Sequence, residues 1–211
     1  MKNFSPYPIT TILLIANIVS YIVQLLMPAY TNLFILNSSL LLMQPWRLVT
    51  HMFLHGSPTH LLFNMLGLFF FGYLVENKIG QVRFTLLYFI SGIIAGFMGS
   101  FFFERALGAS GALMGIIGFV ILTFPKLQVL FFGIIPMPMW VAGIIFFLYD
   151  FFGAIASVGN VGHEAHIAGL LVGLVYAYYY RVQEKKETKR VRVNKEEIEV
   201  MDASEYMKQF R

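Results

Sequence analysis

Apolar stretches long enough to cross a bilayer recur in series along the chain, and this recurrence limits its fold more than any other feature. A helix of roughly 20 apolar residues spans the ~30 Å hydrocarbon core, and it satisfies its own backbone groups where no water can do so. Hydropathy places six such spans, at about 9–27, 60–76, 83–103, 110–124, 138–156 and 164–180. With 58% hydrophobic and only 12% charged residues, the composition excludes a soluble domain. The expected fold is an all-α membrane protein, one six-helix bundle followed by a tail.

The bundle is expected over residues 1–180 and the tail over 181–211, with a basic front half and an acidic stretch from Glu196. The first apolar run is longer than a signal-peptide core and lacks a small-x-small cleavage pattern, so it reads as a retained anchor. Residues 28–59, with Pro28, Pro45, Trp46 and Pro58, are too long for a turn and too apolar for a solvated linker. This connection is expected on or in the membrane surface. Zero cysteines exclude disulfides, thiolate metal sites and a cysteine nucleophile. The net charge of +4 comes from basic residues beside membrane segments, which implies a lipid bilayer as partner and not nucleic acid. With the N-terminus inside, Lys2, Lys78, Arg83, Lys126 and the tail share the inner side, against Arg47 and Arg105 outside. Both termini are therefore expected to be cytoplasmic.

The candidate site follows from depth and glycine spacing. The fourth span is only about 22 Å long at about 1.5 Å per residue, so its start at Ser110 should lie below the outer surface. A helix start at that depth is tolerable only where protein or a wet cavity satisfies its N–H groups. His166 begins about a turn inside the sixth span, at similar depth. Gly111-x-x-x-Gly115 follows the serine and Gly169-x-x-x-Gly173 follows the histidine, and small residues four apart let membrane helices approach closely. Packing of these two faces would bring Ser110 to His166. Imidazole is the usual base for a serine nucleophile, Gly108 and Gly111 clear space around the hydroxyl, and the helix start directs N–H groups at the site. In the second span, His60 and Asn64 lie four apart on one face, where an amide and an imidazole make a reasonable oxyanion hole.

Trp46-Arg47, HGSPTHLLFNMLG at 55–67, GASG at 108–111 and AHIAGLLVG at 165–173 occur in this order. The constellation resembles the rhomboid intramembrane serine proteases, across about residues 9–180. The resemblance implies a six-transmembrane-helix rhomboid-like bundle with a membrane-associated first loop. It implies Ser110 as nucleophile, His166 as general base and then acid, and His60, Asn64 and the Ser110 amide as oxyanion stabilisers. It further implies membrane-spanning substrates cut near their outer ends, sideways access past the fifth span, and no metal or cofactor. Many relatives carry a Tyr four residues after the serine where this chain has Met114. A thioether can pack on a ring edge, so a less constrained His166 is expected. A bacterial plasma membrane is the expected location.

Other readings attach to the same residues. Ser110 taken alone would be a serine bonding back to its own helix, and His60 and Asn64 could serve a helix–helix hydrogen bond. His51 and His55 are expected to be buried structural histidines. HEAH at 163–166 lacks the HExxH spacing of a zinc protease. His163 is expected at the cavity mouth without a chemical role. Asp150 is expected to accept local hydrogen bonds or stay protonated rather than to complete a triad. Glu104 and Arg105 read as an interfacial ion pair, and the acidic end of the tail, with Ile198, Val200, Met201, Tyr206 and Met207, as a surface able to dock a partner. Two rival functions remain: a catalytically silent relative that binds membrane helices, and a small transporter or channel.

Overall fold

The structure is a computed structural model that describes residues 8–131, 133–156 and 162–208, with the side chains of 131 and 192–208 outside the description. It is a helical bundle. The helices are α1 (Ile9–Leu26), α2 (Pro28–Phe34), α3 (Arg47–Thr50), α4 (Pro58–Gly67), α5 (Tyr73–Ile79), α6 (Gln81–Gly99), α7 (Ser110–Thr123), α8 (Met139–Ala156) and α9 (His163–Lys208). A stretch of π-helix at Leu68–Gly72 joins α4 to α5, so Pro58–Ile79 is one rod of 22 residues. Among the described residues four rods are long and apolar enough to cross a membrane: α1, Pro58–Ile79, α6 and α8.

The burial pattern is that of a protein solvated by hydrocarbon. On α1 the buried positions are Thr10, Leu13, Asn17 and Ser20, spaced three and four apart as one helix face. Ile12, Ile15, Val19 and Ile22 are instead about half exposed, at 51%, 56%, 52% and 49%. Polar groups face inward, where partners exist, and aliphatic groups face outward, the reverse of an amphipathic helix in water. No side chain of its own caps α1, which begins after Pro8. Glu76 of α5 does so instead, accepting hydrogen bonds from the backbone N–H of Ile9 (2.7 Å) and Thr10 (2.8 Å) and from the Thr10 hydroxyl (2.6 Å). A carboxylate at a helix N-terminus satisfies orphan donors and complements the dipole.

Helix α7 has 14 residues and is apolar on every side, with Ala112 to Val120 all buried. Such a helix belongs at the centre of a bundle, and α6, α8 and α9 surround it. Its contact with α9 is backbone on backbone. A Cβ placed on Gly169 would lie 2.1 Å from the Gly111 carbonyl oxygen, and one on Gly173 would lie 2.0 Å from that of Gly115. The α7 glycines also face α6, since a Cβ on Gly111 would meet Ala95 at 2.5 Å and one on Gly115 would meet Ser91 Oγ at 2.0 Å. Two seams therefore share one glycine pair.

The first connection is folded onto the bundle. β1 (Leu36–Asn37) pairs antiparallel with β2 (Arg105–Ala106), in the register Leu36 to Ala106 and Asn37 to Arg105. Ser38 N–H donates to the Glu104 carbonyl (3.0 Å), and Gly108 N–H donates to that of His51 (2.9 Å). Arg47, 5% exposed, donates to the carbonyls of Asn32 and Ile35. The expected Glu104–Arg105 pair is corrected: Arg105 donates to Asn32 Oδ1 instead, because the β1–β2 ladder turns it toward the first connection. A hairpin of β3 (Gln128–Phe131) and β4 (Ile135–Pro138) links α7 to α8, turning at Gly133 with φ +72°.

Helix α9 crosses the expected boundary at 180 without a break, because residues 174–208 contain neither Gly nor Pro. Its polar part begins on the bundle. Glu184 pairs with Lys78 at 2.7 Å, and Arg181 donates to the Leu122 carbonyl at the C-terminal end of α7. The side chains of the apolar tail positions from Ile198 to Met207, the expected docking surface, lie outside the described residues.

Candidate active site

Ser110 is the first residue of α7. The turn that presents it passes through Gly108 at φ +125°, a conformation open to glycine and strained for other residues. A Cβ at Gly108 would also strike the His60 ring at 2.8 Å. The Gly108 bond to His51 then ties this turn to the first connection. His51 is buried and its Nδ1–H donates to the Arg47 carbonyl, while burial pushes its pKa down to about 4. Burial, aided by the charge of His60, likewise pushes His55 down to about 4. Both stay neutral near pH 7, as buried structural histidines do.

His166 lies one turn into α9, its N–H bonded to the Gly162 carbonyl. The glycine seam delivers its ring to the serine: Ser110 Oγ and His166 Nε2 are 2.8 Å apart. The other ring nitrogen, Nδ1, lies 3.0 Å from Asp150 Oδ1 on α8. The same carboxylate oxygen is 2.7 Å from His163 Nδ1. A carboxylate accepts, so Nδ1–H of each imidazole donates to it, and His166 Nε2 is left to accept the Ser110 hydroxyl proton.

Asp150 accepts local hydrogen bonds, as expected, and its two donors are His163 and His166. Two other expectations change here. His163 does not line the cavity mouth; at 3% exposure it is packed beneath Asp150. His166 is not loosely held, because both its nitrogens are engaged and its side chain is only 17% exposed, while Met114 is buried in the apolar core. The sequence carried a signal for this cluster: one carboxyl in the apolar run MWVAGIIFFLYDFFGAIA, where an ionisable residue in a membrane segment marks function by default.

A cavity of about 430 Å³ lies over the pair, lined by His60, Ser110, Gly111 and His166 together with Phe103 and Leu107. His60 is set at the third position of α4 by Ser57, whose hydroxyl accepts its backbone N–H. Its Nδ1 accepts from Gly56 N–H at 3.4 Å, which leaves the ring proton on Nε2, at the edge beside Gly108. Asn64 is buried at 4% exposure and is not among the residues lining the cavity. It spends one amide hydrogen on the His60 carbonyl at 2.9 Å and keeps a second. The structure therefore brings Ser110, His166 and His60 to one cavity and sets Asn64 one layer behind.

Asp150, His163 and His166 also hold possible ligand atoms within 4.8 Å of one another. A metal on His166 Nδ1 would force the ring proton onto Nε2. That nitrogen could then no longer accept from Ser110, so metal binding and base function exclude each other there.

A hydroxyl paired with an imidazole inside a bundle of lipid-facing helices defines the class of a membrane-embedded serine enzyme. The family model described as Rhomboid domain matches residues 42–183. The chain is 30% identical to the rhomboid protease GlpG of Haemophilus influenzae over 134 residues, covering 63% of this chain and 68% of that one. It is 29% identical to the rhomboid protease GlpG of Salmonella typhi over 195 residues, covering 86% and 66%. It is 31% identical to the mitochondrial Rhomboid protein 1 of Saccharomyces cerevisiae over 149 residues, covering 65% and 42%. The chain thus spans about two thirds of the GlpG relatives' length. It belongs to the rhomboid family of intramembrane serine proteases.

Proposed function

We propose that this chain is a six-span serine endopeptidase that cuts single-span membrane proteins near the outer face of a bacterial plasma membrane, with both termini cytoplasmic. The observation that carries the reading is the 2.8 Å hydrogen bond between Ser110 Oγ and His166 Nε2. Two further spans join the four long ones: α7, whose 14 residues start within the membrane, and the apolar first part of α9. The basic residues at 181–190 favour an inner position for the end of α9.

In the reaction, Ser110 Oγ attacks the scissile carbonyl carbon while its proton passes to His166 Nε2. The carbonyl oxygen becomes an oxyanion, and its donors are the Ser110 backbone N–H and the His60 Nε2–H, while Asn64, one layer behind, supports His60 through its amide hydrogen bond to the His60 carbonyl. The imidazolium gives its proton to the amine as the C–N bond breaks, leaving an acyl-serine. Water then attacks the ester carbonyl and yields a proton to His166. Collapse of that intermediate returns the proton to Ser110 Oγ and frees the acid. These residues complete the cycle without a metal or cofactor.

A fluorophosphonate or isocoumarin probe tests the assignment. The wild-type chain is expected to label covalently, and Ser110→Ala to lose labelling together with at least about a thousandfold in turnover. Labelling that persists after the substitution, or a folded wild-type protein that neither labels nor cleaves, overturns the proposal.

A further inference from the structure

The hydrogen bonds of His166 reach beyond the Ser110 pair to a third helix, α8, and the role inferred for that helix rests on Ser110 and His166 being nucleophile and base. We propose that Asp150 is a positioning residue for the hydrolysis: from α8 it fixes the His166 ring in the tautomer that can deprotonate Ser110, and it stabilises the imidazolium formed in the transition state.

Geometry supplies the first support. Ser110 Oγ, His166 Nε2, His166 Nδ1 and Asp150 Oδ1 form an unbroken chain of two hydrogen bonds, at 2.8 Å and 3.0 Å. With its proton on Nδ1, neutral imidazole has one lone pair left, on Nε2, and that lone pair faces the hydroxyl. Rotation of the ring by half a turn would lose both bonds.

Location supplies the second. Asp150 is 2% exposed on a helix that otherwise carries no charge, and a carboxyl there is costly in a membrane protein. A purely packing role would be served as well by an apolar residue of that volume. Among the described residues its ion-pair contacts are the two imidazoles. His163 donates at 2.7 Å and holds the carboxylate on the line toward His166. Gly153, one turn along α8, makes room for this arrangement, since a Cβ there would lie 2.4 Å from His163 Nε2. Nucleophile and base ride on the α7–α9 seam, whereas the group that aligns the base comes from α8. Catalytic competence therefore requires α8 to be seated.

The test uses two variants of the full chain in membranes or detergent. Asp150→Asn keeps an oxygen that can accept both N–H groups but removes the charge, so the fold is retained. Asp150→Leu removes the acceptor as well. Cleavage of a transmembrane substrate is measured per active site titrated with a fluorophosphonate, so that misfolded protein does not enter the rate. Asp150→Asn is expected to lower kcat at least about tenfold with KM within about twofold, and Asp150→Leu to lower it further. Nitrogen-15 histidine spectra are expected to show Nδ1–H on His166 in the wild type and its loss in Asp150→Leu. A kcat per site within twofold of wild type in Asp150→Asn, or an unchanged His166 tautomer in Asp150→Leu, overturns the inference while leaving Ser110 and His166 in place. Labelling that survives Ser110→Ala instead removes the underlying reading, and the inference with it.

Discussion

The α7–α9 seam and the α8 flank hold the two sides of one site by opposite means. On the seam, carbonyl oxygens of one helix occupy the space where Cβ atoms of the other would stand, at Gly169 and Gly173. On the flank, α8 buries only Met139, Ala142, Gly143, Asp150 and Gly153 and leaves Phe152 and Ile155 exposed at 61% and 68%. Backbone cannot yield as side chains can, so the seam fixes the distance between hydroxyl and imidazole rigidly. The flank instead meets α7 through the flexible end of Ile121 and meets α9 through the Asp150 hydrogen bonds. A difference in tolerance to the same small substitution, one added methyl group, should result.

The largest effect is expected at Gly173→Ala. Its methyl would arrive 2.0 Å from the Gly115 carbonyl oxygen and 3.0 Å from the Gly115 Cα, so the two helices must separate. Overpacking against side chains costs about 1–3 kcal/mol, and here backbone must move, so a loss of at least about 3 kcal/mol is expected. Thermal unfolding in detergent checks the stability and the probe reaction checks the site; an unchanged melting temperature would show that the seam is not the rigid half.

Gly153→Ala should be intermediate and should separate activity from stability. Its methyl meets the His163 ring, which can swing aside at the cost of its bond to Asp150. The expected result is a melting temperature within a few degrees of wild type and a several-fold fall in kcat. Equal losses of both would make α8 a structural strut like α9.

How much of this was legible in the sequence depends on the range of the interaction. Four of the spans, the approach of Ser110 to His166 and the glycine pairs could be read because hydropathy and four-residue spacing are local signals, and the seam that the glycines suggest is the one observed. The Glu76 cap on α1 was not legible, since it joins positions 66 and 67 residues apart and no local pattern announces which helix a lone carboxylate will reach. The two-residue ladder between Leu36–Asn37 and Arg105–Ala106 is likewise too short to show an alternating strand pattern. Asp150 was visible as an oddity but not as a partner of His166, because the register of α8 against α9 is set by tertiary packing. The hairpin 128–138 was hidden for another reason: its apolar residues merged with those of the flanking helices.

The smallest effect is expected at Gly143→Ala, and it is the sharpest check on the flank. Its methyl would sit 2.6 Å from Ile121 Cδ1 and 2.7 Å from Cγ1, a clash close to the 2.5 Å one between Gly111 and Ala95 though looser than those at Gly169 and Gly173. Distance alone would therefore predict substantial damage. Ile121 is only partly buried, so its outer carbons can rotate to another staggered well at a cost of about 1 kcal/mol or less, and α8 need not move. Kcat and melting temperature are expected to stay near wild type, since neither Asp150 nor the seam is displaced. If Gly143→Ala were as damaging as Gly173→Ala, the contrast between backbone and side-chain contacts would fail, and α8 would have to be counted as part of the rigid core.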